Sequence, residues 1–126
     1  MNNEVVISKI LEKIGSTVRY KYPPPQEPKE GILKDRVVIP SVNEKGEIPY
    51  WDIVDLIEFP QEKEKRWMRI GYYRKPKDRL VFAGQTTITE PISIWKKILL
   101  TASMEKPWFR DLLFEVVNEL KKQEFK

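Results

Sequence analysis

From Thr17 to Ala83 the chain is a series of short β-rich segments separated by proline- and glycine-marked turns. Connections this short join neighbouring strands antiparallel, because a parallel crossover needs a dozen residues or more. Thr17–Tyr22 alternates, with Val18, Tyr20 and Tyr22 on one face and Arg19 and Lys21 on the other. Residues 23–28 hold four prolines, which cannot donate to a ladder, so they read as an extended connector. A second strand is expected from Gly31 to Ile39, ending at Pro40, and turn chemistry follows over 42–46.

Residues 48–59 fit two periods. Tyr50, Ile53, Val54 and Ile57 have helical spacing, while Trp51, Ile53, Ile57 and Phe59 share one strand face on which Asp55 is the misfit. The β-branched and aromatic content favours a strand over 53–59. Arg66–Arg74 and Arg79–Ala83 then read as a hairpin closed by Lys75-Pro76-Lys77-Asp78. Gln85–Thr89 is a polar edge leading toward a helix cap.

Helices flank this middle. Asn3 is placed to cap a helix over 4–14, with Ile7, Ile10, Leu11 and Ile14 as its stripe and Gly15 as its stop. Thr89-Glu90-Pro91 has the form of a second helix start, followed by the stripe Trp95, Ile98, Leu99 and Ala102. Pro107 opens a third, whose stripe is Phe109, Leu112, Leu113, Val116, Val117 and Leu120. The expected architecture is α+β: an N-terminal helix, an antiparallel β-meander of four to six strands forming a sheet or small SH3-like barrel, and two C-terminal helices. At 126 residues the expectation is a single domain over 1–126. Its expected core comprises Ile10, Ile14, Val18, Val38, Val54, Ile70, Val81, Ile98, Leu99, Leu112, Leu113, Val116 and Leu120.

Composition narrows the chemistry. The chain has no Cys and no His. That excludes disulfides, thiolate metal sites, Cys nucleophiles and every mechanism that needs an imidazole base. Glu and Lys together number 30 against four Gln, which is a thermophile's composition. No stretch approaches the roughly 20 apolar residues of a membrane span. Met1–Gly15 carries charges that do not suit a secretory leader, so a cytoplasmic protein without membrane partners is expected.

Charge is unevenly distributed. Residues 61–79 hold eight Lys and Arg against three acids, whereas residues 1–60 hold eight against ten. Within the basic segment Arg66, Arg69, Arg74, Lys75, Lys77 and Arg79 could bind phosphates. Trp67, Arg69 and Tyr73 project from the same strand face, where exposed rings stack on unpaired bases. The leading expectation is therefore a non-enzymatic binder of single-stranded DNA or RNA, with Arg66, Trp67, Arg69, Tyr73, Arg74, Lys75, Lys77 and Arg79 as its contacts. The opposing reading puts Trp67 and Tyr73 in the core and leaves the charges as solvated surface.

Two other functions fit the same chain. Trp108 and Phe114 lie off the apolar stripe of the last helix and Phe125 lies beyond it, which suits a homodimer or an accessory subunit docking a protein partner, with the Pro-rich loop as a second contact. A His-free endoribonuclease could draw on Tyr72, Tyr73, Arg74, Lys75 and Arg79. Asp52, Asp55 and Glu58 would line one side of a helix but split between the faces of a strand. Glu27-Pro28-Lys29 and Glu119-Leu120-Lys121 match part of a metal-nuclease motif but do not lie on a central strand. The chain carries no glycine-rich phosphate cradle. No metal or cofactor is expected.

Overall fold

A computed structural model describes residues 2–20, 27–83 and 92–125. The chain divides into two compact units, Met1–Ile88 and Thr89–Lys126.

The first unit opens with α1 (Asn3–Leu11) and continues as a five-stranded antiparallel meander. Its strands are β1 (Thr17–Tyr20), β2 (Lys29–Ser41), β3 (Tyr50–Glu58), β4 (Arg66–Arg74) and β5 (Val81–Phe82), in the order β1-β2-β3-β4-β5. The sheet curls into half a barrel, giving the α+β class expected from the sequence. The segment 48–59, ambiguous by period, is a strand from Tyr50.

Several boundaries differ from expectation for definable reasons. Helix α1 is capped by Asn2, whose Oδ1 accepts from the Val5 N–H at 2.9 Å. Asn3 is left to accept from Trp51 Nε1 at 2.7 Å, which ties the helix start to β3. The helix stops at Leu11, and a turn carries the chain to Gly15, which has a φ of +94°. Ile14 therefore leaves the helical stripe and is exposed. Strand β2 runs through Pro40 to Ser41. Strand β1 pairs with Lys29–Ile32, and among the described residues no strand pairs with β2 on that side farther along, where a residue without an N–H is tolerated. The expected residues 21–22 of β1, the proline connector 23–26 and the segment 84–91 lie outside the described residues.

Alternation divides β3 between two faces. Trp51, Ile53, Asp55 and Ile57 point to the inner, concave side, and Asp52, Val54, Leu56 and Glu58 to the outer. Two apolar clusters occupy the inner side. Val6 and Ile10 of α1 pack on Trp51, Ile53 and Tyr73, while Leu33, Ile57 and Phe59 pack with Val18 and Tyr20. At Gly31, a Cβ would lie 2.6 Å from the Glu58 carbonyl oxygen and 2.8 Å from the Phe59 ring, so β2 and the end of β3 approach more closely than any other residue permits.

The second unit is a pair of helices, α2 (Ile92–Glu105) and α3 (Pro107–Lys121). Arg110 Nε donates to the Ser103 carbonyl at 2.9 Å and Nη2 to that of Met104 at 3.2 Å, placing a cation on the negative end of α2. Ile98, Ala102 and Phe109 are buried. Leu99, Leu112, Val116 and Leu120, expected in the core, are exposed. The apolar stripe of α3 is wider than the buried contact at Phe109, so the rest of it faces outward. Among the described residues no helix is long and apolar enough to cross a membrane.

Candidate functional site

The inner face of an antiparallel sheet ordinarily carries apolar side chains. Here three charges lie in one row across it. Arg36 of β2 is the register partner of Asp55 of β3, and Asp55 is the register partner of Arg69 of β4. Arg36 donates from Nε to Asp55 Oδ1 at 2.6 Å and from Nη2 to Oδ2 at 3.0 Å. Arg69 donates to the same Oδ2 from Nε at 3.0 Å and from Nη2 at 2.8 Å. Arg36 Nη1 also donates to the Ile10 carbonyl and to the Tyr73 hydroxyl, each at 3.0 Å.

Arg36 and Asp55 are both fully buried, and the Arg69 side chain is 17 % exposed. Isolated charges in such a place would be prohibitive, and the paired charges with their hydrogen bonds are what make the row tolerable. Burial disfavours the charged form of Arg36. The hydrogen bond and charge of Asp55, with Tyr73 adding to both effects, outweigh it and hold the guanidinium pKa above its ordinary value. Two guanidiniums face one carboxylate, so the row keeps one net positive charge.

The two guanidiniums of that row form the floor of a cleft of about 230 Å³. Lys13, Ser16, Thr17, Val18 and Arg19 line it from the α1–β1 connection and β1. Leu33 and Arg36 come from β2, Arg69 and Tyr73 from β4, and Phe82 from β5. The cleft thus lies between the first and last strands of the curled sheet. Arg69 spans it, with Nη1 3.4 Å from the Tyr20 hydroxyl and its guanidinium carbon 4.8 Å from the Phe82 ring centroid.

The basic segment read from the sequence is distributed over two faces and a turn. Trp67, Arg69 and Tyr73 do share one face of β4, and it is the inner one. Tyr73 is buried, with its ring 5.1 Å from that of Phe82, so its faces offer no stacking platform. Arg69 is engaged by Asp55. Trp67 is 38 % exposed, sits edge-on to Phe59 at 5.2 Å, donates Nε1 to the Glu64 carbonyl and carries Lys29 Nζ 4.1 Å over its ring. Arg66 and Arg74 occupy the outer face at opposite ends of β4.

Lys75, Lys77 and Arg79 belong to the connection between β4 and β5, where Pro76–Asp78 forms a single 3₁₀ turn and Lys77 and Asp78 have φ of +51° and +62°. Lys75 Nζ lies 4.0 Å from Asp78. Arg66, Arg74, Lys77 and Arg79 are exposed and make no ion pair among the described residues.

Asp52 and Glu58 lie on the face opposite Asp55, and no cluster of acids among the described residues could hold a metal ion. Nothing local in the sequence marks Arg36, Lys13, Arg19 and Phe82 as site residues. Asp55 was the available signal: a carboxylate on an apolar strand face must find a buried cation, and Arg36 is the charge set within the apolar end of β2.

Comparison with protein-family models, curated proteins and solved structures gives no match for this chain.

Proposed function

We propose that the protein is a small nucleic-acid-binding module that takes single-stranded DNA or RNA through β4 and the turn that follows it. The observation that carries this reading is the set of four exposed cations without ion-pair partners among the described residues, Arg66, Arg74, Lys77 and Arg79, within one short stretch. Unneutralised cations on a protein surface attract phosphates and release their counterions. Trp67 and Arg74 lie seven residues apart on an extended strand, roughly 23 Å, and on opposite faces of it, so a ligand reaching both would run along the edge of β4, which pairs with β5 at Tyr73 and Arg74. A strand of several nucleotides laid along β4 would place a base near the half-exposed indole and its phosphates near the turn. Tyr73 and Arg69 have no part in this surface. The protein is read as cytoplasmic and as working without a metal or cofactor.

Fluorescence anisotropy with labelled single strands tests the proposal. Binding should weaken in Lys77→Gln and Arg79→Gln, whose side chains support no packing. Absence of binding at protein concentrations of about 100 μM, the weak limit of ordinary non-specific association, would overturn it.

One observation favours a second role for the other unit. Leu112, Val116 and Leu120 recur every fourth residue on α3 and are 37–46 % exposed, with Phe114 and Val117 also exposed. Such a stripe suits a protein partner or a second copy. Sedimentation velocity over a range of concentrations tests self-association, which Val116→Glu should abolish.

A further inference from the structure

We infer that the cleft between β1 and β5 is an oxyanion pocket that receives a phosphate group. This stands apart from the proposed single-strand surface, because Arg66, Arg74, Lys77 and Arg79 do not line the cleft. Four of its ten lining residues are cations, Lys13, Arg19, Arg36 and Arg69, and none is an acid. Among the described residues two carboxylates offset them. Asp55 neutralises one of the two guanidiniums of the floor, and Glu30 pairs with Arg19 at 2.6 Å on the surface. Lys13 makes no ion pair among the described residues.

Donors are also in place. Arg69 spends Nε and one Nη2 hydrogen on Asp55 and directs one Nη1 hydrogen toward Tyr20. One hydrogen on each terminal nitrogen remains, and two charged donors on one guanidinium suit the oxygens of a phosphate. Arg36 sits behind, held through Asp55, and adds charge without the need to move. This preorganisation removes the cost of gathering flexible side chains around the anion.

Size limits the guest. About 230 Å³ is below the roughly 300–1,000 Å³ of pockets for drug-sized ligands. It suits a phosphate and a few further atoms. The group could arrive as free phosphate or as the terminal phosphate of a nucleic-acid strand.

The test is an amide and Arg Nε NMR titration of the intact protein at constant ionic strength. The probes are inorganic phosphate and a short oligothymidylate with and without a terminal phosphate. Saturable shifts with inorganic phosphate at Ser16, Thr17 and Arg69 are expected. Lys13→Gln should weaken them severalfold, and Arg69→Gln should weaken them about tenfold or more. Tighter binding of the phosphorylated strand than of inorganic phosphate at these same signals identifies a strand terminus as the source. Equal or weaker binding identifies the free anion.

Arg74→Gln and Lys77→Gln must leave the phosphate titration unchanged while weakening the unphosphorylated strand, so failure of either site is read separately. Lys13 is exposed and lies outside the charged row, so its variant decides the matter if Arg69→Gln fails to fold. Shifts that never saturate, that scatter over the surface, or that persist unchanged in Lys13→Gln would overturn the inference.

Discussion

Arg36 and Asp55 meet inside the half-barrel through two hydrogen bonds, at 2.6 and 3.0 Å, with neither side chain open to solvent. They are also register partners, and Arg69 continues the row on the next strand. A slip of one residue between β2 and β3 would send one partner to the opposite face. The charged row therefore specifies strand alignment as well as the floor of the cleft.

Asp55→Asn leaves two buried guanidiniums without their carboxylate. Removing one partner of a buried pair costs about 3–5 kcal/mol, and that loss is expected in urea unfolding. Replacing Arg36, Asp55 and Arg69 together by apolar residues of similar size should recover much of the stability. A triple variant as unstable as Asp55→Asn would contradict this account.

Arg36→Lys keeps the charge and removes the fork. An ammonium cannot span both Asp55 oxygens and still reach Ile10 and Tyr73, so a loss of about 2 kcal/mol is expected. Because the Arg36 pKa is raised on folding, its contribution is fully present below the ordinary guanidinium value and is lost only as pH rises through the higher folded value. The stability difference between wild type and variant should thus stay level from neutral pH to about pH 9, since Asp55 faces the lysine ammonium as it faces the guanidinium and favours its charged form. A difference that collapses within this range would show that another group controls the pair.

The strand pattern was largely legible in the sequence, because alternation, prolines and turn residues mark antiparallel segments locally. Even the uncertain stretch at 48–59 resolved toward the reading that its β-branched and aromatic residues favoured. The cleft was not legible. It depends on the curl that brings β1 and β5 to one cavity, a property of five strands together. Tyr73 shows the same limit, since alternation places it on the Trp67 face but cannot say that α1 covers one end of that face and not the other.

Gly31→Ala should destabilise the protein by about 1–3 kcal/mol, the usual cost of overpacking. The added Cβ would meet the Glu58 carbonyl, which is backbone and cannot swing aside. Thermal unfolding of this single variant measures the effect, and an unchanged melting temperature would mean that β2 and β3 separate at this point.

Lys77→Gly relieves a left-handed backbone at φ +51°. A non-glycine residue there costs about 1–2 kcal/mol, partly offset by the chain entropy glycine adds to the unfolded state, so the variant should be neutral or up to about 1 kcal/mol more stable. Nucleic-acid binding should weaken in the same variant. Stability and binding moving in opposite directions separates the role of the side chain from that of the turn.

The salt dependence of single-strand binding reports whether these cations meet phosphates. Anisotropy titrations from low to moderate salt, with tryptophan emission followed in parallel, should give a log–log slope of about −2 to −3 if three or four phosphates are neutralised. The slope should become shallower by about 0.7 in Lys77→Gln, and emission should be quenched as a base reaches Trp67. A slope near zero, or binding unaffected by loss of Arg74, Lys77 and Arg79 together, would contradict the account and leave those cations as ordinary solvated surface.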